Sequence, residues 1–174
     1  MRMSHHQYVL YDLYKLRRNL NRRDETTTMS HICLHTHIVF ATKRREPFLD
    51  DAIRPRLFEY LGGTVRGLGA TPQGIGGIED HVHLLVGFKS THQLADFMRE
   101  LKKSASTWIH EQVGDSRFSL QEGYGAFSVS PTARVSVQRY IANQESHHRK
   151  QSSRDEYIEM LTNAGIEFDP QFIE

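Results

Sequence analysis

The run HVHLLVGF, from His81 to Phe88, reads as a strongly buried strand entered through the turn residues Glu79 and Asp80. A second strand pattern, ICLHTHIVFAT from Ile32 to Thr42, is β-branched and partly alternating. It is stopped by Lys43-Arg44-Arg45 and Glu46-Pro47. Between the two, Asp50-Asp51 opens a helix to about Val65, with Pro55 tolerated near its first turn. A weak strand near Thr71 to Ile78 follows among glycines. Beyond Phe88, Ser90 with Gln93 makes a capping-box pair, and Leu94, Phe97, Met98, Leu101, Ala105, Trp108 and Ile109 recur at helical spacing. Ala126 to Val129 is a short strand. Ser130-Pro131 then opens a helix to about His148. Ser153 to Gly165 marks a last short helix with a glycine stop. The order β-α-β-β-α-β-α predicts an α+β fold, a ferredoxin-like sandwich with an antiparallel sheet and helices on one face.

The 174 residues fit one domain, and a chain of this length buries enough surface to fold without disulfides or a structural metal. A single cysteine, Cys33, has no internal partner, which points to a reducing, cytoplasmic setting. No apolar run approaches the ~20 residues that span a bilayer. The formal net charge is only +1, but it is uneven. Residues 1–28 carry six basic and three acidic side chains, leaving 16 of the 22 basic and 18 of the 21 acidic ones to the rest. Nucleic acid, if bound, is therefore met by local clusters rather than a global field. The candidates are Lys43, Arg44 and Arg45 at a strand end, and Arg99, Lys102 and Lys103 on a helix face. Residues 1–28 end in a basic run and a polar linker, with no second core.

Eleven histidines are the compositional anomaly. His81 and His83 lie two apart on a strand, so both rings face the same side, roughly 6.6 Å apart along it. That spacing lets two imidazoles converge on one ion. His35 and His37 are spaced identically, and an isolated pair of this kind is more often two polar residues on an open face. The helix toward His148 carries Val137, Tyr140, Ile141, Gln144 and His148 on one stripe. A tyrosine and an amide on an inward stripe need polar partners, either an ordinary hydrogen bond or a metal site on a neighbouring strand.

The stretches HIVFATKRREPF, EDHVHLLV, LKKSAS, EGYGAFSV and RYIANQESHHRK, with the tail DEYIEMLTNAGIEFD, resemble the HUH-type single-tyrosine transposases of small bacterial single-strand insertion sequences. The REP-associated tyrosine transposases are close relatives. The resemblance runs from residue 29 to about residue 169. It implies that His81 and His83 are metal ligands, with Gln144 as the third, and that Mg²⁺ or Mn²⁺ is the ion. It implies that Tyr140, on a C-terminal helix, is the nucleophile, leaving a 5′-phosphotyrosine and a free 3′-hydroxyl. It resolves the tie by making His35 and His37 framework or DNA-adjacent residues. Single-stranded DNA hairpins are the implied substrate, and a homodimer with Tyr140 acting in trans is the implied assembly. Members commonly begin near the first strand, so the expected transposase domain is 29–174, with 1–28 an extension upstream of Met29. Two other readings are a domesticated hairpin-binding protein of the same fold and a zinc hydrolase. The first would be expected to lose one of the four site residues, and the second lacks HExxH or clustered cysteines.

Overall fold

The computed structural model describes residues 31–114, 116–149 and 151–173; the extension expected at 1–28 lies outside the described residues. Strands β1 (Leu34–Ala41), β2 (Thr71–Gly77), β3 (His81–Phe88) and β4 (Gly125–Val129) form one antiparallel sheet in the order β2-β3-β1-β4. Helix α1 (Arg54–Gly67) connects β1 to β2 around β3, and α2 (Leu94–Val113) connects β3 to β4 around β1. These two interleaved split β-α-β units are the ferredoxin-like topology expected from the element order.

The pleat sorts the side chains. Ile38 and Phe40 of β1, with Val82, Leu84 and Val86 of β3, pack into one core with Leu57, Leu61 and Val65 of α1 and Phe97, Met98, Leu101 and Ala105 of α2. The residues between them face the other way. His37 pairs across the ladder with Leu85, and Val39 with His83. The two long helices thus cover one face, while α3 (Arg134–Ala142) lies on the opposite face, where Ile141 and Val137 pack with Leu85 and Val129. Burial from both sides explains why β3 is apolar without alternation.

Local chemistry sets the boundaries, and several differ from expectation. Asp50 Oδ1 accepts from the amides of Ala52 and Ile53 at 2.9 and 2.8 Å, and α1 proper starts at Arg54 with Pro55 in its first turn. Helix α2 starts at Leu94, not at Ser90. His92 claims the preceding turn by accepting from the Lys89 amide at 3.1 Å, and Gln93 caps without a side-chain bond. Ser130 Oγ accepts from the Ala133 amide at 3.2 Å in the preceding turn, but α3 itself starts at Arg134 with Ala133 at its cap and no side-chain bond there, later than the Ser130-Pro131 start expected. The helix expected to continue to His148 breaks at Asn143, whose amide is shared between the carbonyls of Arg139 and Tyr140. Gln144 then opens the short α4 (Gln144–His147). Helix α5 (Ser153–Asn163) is capped by Ser152 and ends before Gly165 in the left-handed region, φ +65°.

One glycine fixes how closely the α3 end approaches the sheet. A Cβ at Gly76 would lie 2.1 Å from the Ile141 carbonyl oxygen, a backbone atom that cannot rotate away. Gly76→Ala is expected to push α3 off β2 and to cost about 1–3 kcal/mol, read as a lower melting temperature. A melting temperature equal to wild type would contradict this close contact.

Candidate active site

Neighbouring positions on the second face of the sheet bring three imidazoles together. His81 and His83 sit at alternate positions of β3, with ring centroids 4.8 Å apart. His37 of β1 backs them, its Nε2 lying 2.8 Å from His83 Nδ1. His81 Nδ1 donates to Asp80 Oδ1 at 2.6 Å, and Ser153 Oγ holds the other Asp80 oxygen at 2.6 Å. Both site histidines are removed from solvent, His81 at 1% and His83 at 0% exposure.

The chain after β4 closes over this pair. Tyr140 at the end of α3 stands edge-on to His83 with centroids 5.8 Å apart, and edge-on to His37 at 6.0 Å. The break at Asn143 turns Gln144 inward, where it is fully buried with its Oε1 3.2 Å from His81 Nε2. Buried Arg54 of α1 anchors this segment by pairing with Glu145 at 2.8 Å. Glu156 of α5, at 3% exposure, accepts from the Tyr140 hydroxyl and from Gln144 Nε2, the latter at 3.0 Å. Its second oxygen lies 3.1 Å from His148 Nε2. Tyr140, His81, His83 and Gln144 therefore meet within one chain.

Electrostatics follow from burial and this one carboxylate. Burial drives His37 down to about 3, with the charge of His83 adding to it, and His83 down to about 4, where the charges of His81 and His148 add to burial and Glu156 opposes them. Both stay neutral at physiological pH, the form in which imidazole ligates a metal. Burial pushes Tyr140 up, and its hydrogen bond to the Glu156 carboxylate pushes it further. Burial alone would raise Glu156, but the His148 and His83 rings and the Tyr140 hydroxyl around it hold it well below the ordinary carboxylate range. Burial would lower His148, but its bond to Glu156, the charge of that carboxylate, the Gln151 carbonyl and the charge of Asp80 together move it up. His83 Nε2 is buried without a hydrogen-bond partner and points toward Glu156 Oε2 at 3.4 Å. An orphaned, neutral imidazole nitrogen beside a carboxylate fits a bound cation.

Glu156 and His148 are additions to the set read from sequence. His148 lay on the inward stripe without an assigned role, while Glu156 sits in an acidic first turn that resembles any solvated helix start. Nothing in its local sequence marks it. His37 proves to be a framework residue behind His83.

The basic clusters divide. Lys43 and Arg44 are exposed on a 3-10 turn, Lys43–Arg45, whose Arg44 and Arg45 both adopt left-handed φ, +57° and +51°. Strain of this kind costs about 1–3 kcal/mol per residue and gathers at functional sites. The turn aims Arg45 inward, where burial lowers it and the charges of Asp80 and Glu156 oppose that. Lys43 and Arg45 border a cleft of about 600 Å³ walled by Tyr124, Tyr157 and Phe168. On α2, Arg99 is engaged by Asp96 at 2.7 Å and Glu100 at 3.3 Å. Lys102 donates to the carbonyls of Gln121, Glu122 and Gly123, pinning the loop before β4. Lys103 is exposed.

No curated protein matches this chain. A Deinococcus radiodurans protein described as a transposase matches its fold with a TM-score of 0.54 at 26% identity, over 67% of this chain and 94% of that one. A REP-associated tyrosine transposase bound to a REP hairpin matches with a TM-score of 0.52 at 14% identity, over 68% of this chain and 71% of its own. The family profile for IS200-like transposases matches residues 30–144, the stretch from the start of β1 through the histidine pair and Tyr140 to Gln144. The chain belongs to the IS200-like transposase family.

Proposed function

We propose that this transposase cleaves and rejoins single-stranded DNA at the ends of an insertion sequence through a 5′-phosphotyrosine on Tyr140. The observation that carries the reading is the seat of the Tyr140 hydroxyl on Glu156, with its ring against His83. His81, His83 and Gln144 would hold a divalent ion, Mg²⁺ or Mn²⁺. Such an ion, when bound, polarises the scissile phosphate and offsets charge on the leaving oxygen. Asp80 and His37 orient the two ligand rings from behind.

A phenol is a weak nucleophile while protonated, and burial keeps this one protonated. Glu156 Oε1 is the acceptor for its proton. The phenol oxygen attacks phosphorus as its proton passes to Glu156, the bond from phosphorus to the 3′ oxygen breaks, and that oxygen takes a proton from solvent to become a 3′-hydroxyl. The ester retains the bond energy, so the 3′-hydroxyl of another end can attack it and restore the strand with Tyr140 released. The strained Lys43–Arg45 turn and its cleft are the favoured contact for the strand. Among the α2 cations, Lys103 and Arg99 are the accessible contacts, since Lys102 already holds three carbonyls. The hairpin carried by the REP-associated relative supports a folded single-stranded substrate.

The test is a labelled hairpin oligonucleotide incubated with Mn²⁺. Wild type is expected to form a covalent protein–DNA adduct and Tyr140→Phe none. Hairpin binding without any adduct would instead support a non-catalytic binder. A homodimer exchanging Tyr140 in trans is separable by mixing Tyr140→Phe with His81→Ala protein. Activity returns on mixing if the site is shared between subunits, and does not if Tyr140 serves its own chain, as the contacts within one chain favour.

A further inference from the structure

Three imidazole nitrogens converge on one oxygen of Glu156. His81 Nδ1 donates outward to Asp80, His148 Nδ1 donates outward to the Gln151 carbonyl at 3.0 Å, and His83 Nδ1 is directed at His37 Nε2. With Nδ1–H so placed on His81 and His148, their neutral rings turn Nε2 lone pairs inward, and His83 Nε2 has no hydrogen-bond partner. They converge on Glu156 Oε2, His81 at 3.6 Å, His83 at 3.4 Å and His148 at 3.1 Å. Gln144 Oε1, a further acceptor, lies 3.2 Å from His81 Nε2 and 2.9 Å from His148 Nε2. Acceptors gathered away from water call for positive charge at their focus, a proton on His148 or a bound cation. The spacing agrees with that charge being one ion. Two donors about 2.1 Å from a shared ion, at octahedral or tetrahedral angles, lie about 3.0–3.4 Å apart. The four donor atoms of His81, His83, His148 and Glu156 all fall within 4.8 Å of one another.

We propose that His148 and Glu156 complete the ligand set begun by His81 and His83, and that the site thereby selects Mn²⁺ or Zn²⁺ over Mg²⁺. The inference rests on the reading of the histidine pair as metal ligands. Both added donors lie beyond residues 30–144, so they come from a segment outside the family profile. Three imidazoles suit a borderline transition ion, whereas Mg²⁺ demands oxygen and keeps its water. Glu156 serves two masters with separate atoms. Oε2 faces the three rings while Oε1 holds the Tyr140 hydroxyl and the Gln144 amide, so α5 ties nucleophile and ion to one carboxylate.

The test is calorimetric titration of the full, metal-stripped chain with Mn²⁺, Zn²⁺ and Mg²⁺ alone, without DNA. Wild type is expected to bind Mn²⁺ at least about a hundredfold more tightly than Mg²⁺. Glu156→Gln and His148→Ala are each expected to weaken Mn²⁺ at least about tenfold, with folding checked by circular dichroism. Glu156→Asp, which keeps the charge, is expected to recover part of the loss. Hydrogen exchange in 153–163 is expected to slow on Mn²⁺ addition in wild type and not in Glu156→Gln. Unchanged Mn²⁺ affinity in both Glu156→Gln and His148→Ala would overturn the enlarged set, as would equal affinity of wild type for Mg²⁺ and Mn²⁺. If His83→Ala also binds Mn²⁺ as wild type does, the histidine pair is not the metal site and the proposal falls together with the reading it rests on.

Discussion

Replacing His83 with alanine is expected to slow strand cleavage at least about a thousandfold while the sheet stays folded. His83 contributes one of the two β3 nitrogens facing the carboxylate and is the ring against which Tyr140 stands. Its loss removes a ligand and leaves His37 Nε2 without its partner. A thousandfold corresponds to about 4 kcal/mol of transition-state stabilisation, the scale on which a metal's charge acts at a phosphoryl centre. The core on the other face does not include His83, so the variant is expected to keep its far-ultraviolet circular dichroism. Single-turnover cleavage of the hairpin oligonucleotide reads the rate. A folded His83→Ala protein that cleaves within tenfold of wild type would remove the metal from the mechanism.

The metal-free protein is expected to lose stability as pH falls from 7 to 5. His37 and His83 titrate at about 3 and about 4 in the folded chain, against 6.5 when exposed. Between those values the unfolded chain binds protons that the folded chain refuses. Their contribution is therefore fully present above pH 6.5 and is lost as pH falls toward 4. At pH 5 each histidine accounts for a loss on the order of 2 kcal/mol, though the two are in contact and their losses are not independent. His148 runs the other way. Its raised value adds stability below 6.5, and Glu156 begins to cost stability only when acid enough to protonate it in the unfolded chain. The two buried rings, with the larger desolvation, set the sign. Melting temperatures of chelator-treated protein are expected to drop by roughly 5–10 °C between pH 7 and pH 5. A flat or rising profile would show that the rings are already charged in the fold.

Most of the architecture is readable along the chain because it depends on short-range periodicity. The apolar run in β3, the alternating β1 and the stripe of α2 each dictate an element, and their order leaves few sheet topologies. Where expectation failed, a neighbour's polar group intervened. His92 took the turn that Ser90 and Gln93 would have capped, and the doubly bonded Asn143 amide ended α3 early. The candidate site was half legible. Two histidines on one strand face, and a tyrosine and glutamine one helical turn apart, are patterns that period alone imposes.

Glu156, His148, His37 and Asp80 belong to a different kind of knowledge. Glu156 becomes part of the centre because α5 folds back over β3 and delivers its carboxylate against three rings. Spacing along the chain determined which residues share a face and hence that His81 and His83 look the same way. Only the tertiary structure decided what they look at. A ligand shell is closed by groups distant in sequence, and the free energy that gathers them comes from burial and charge compensation, neither of which leaves a periodic trace.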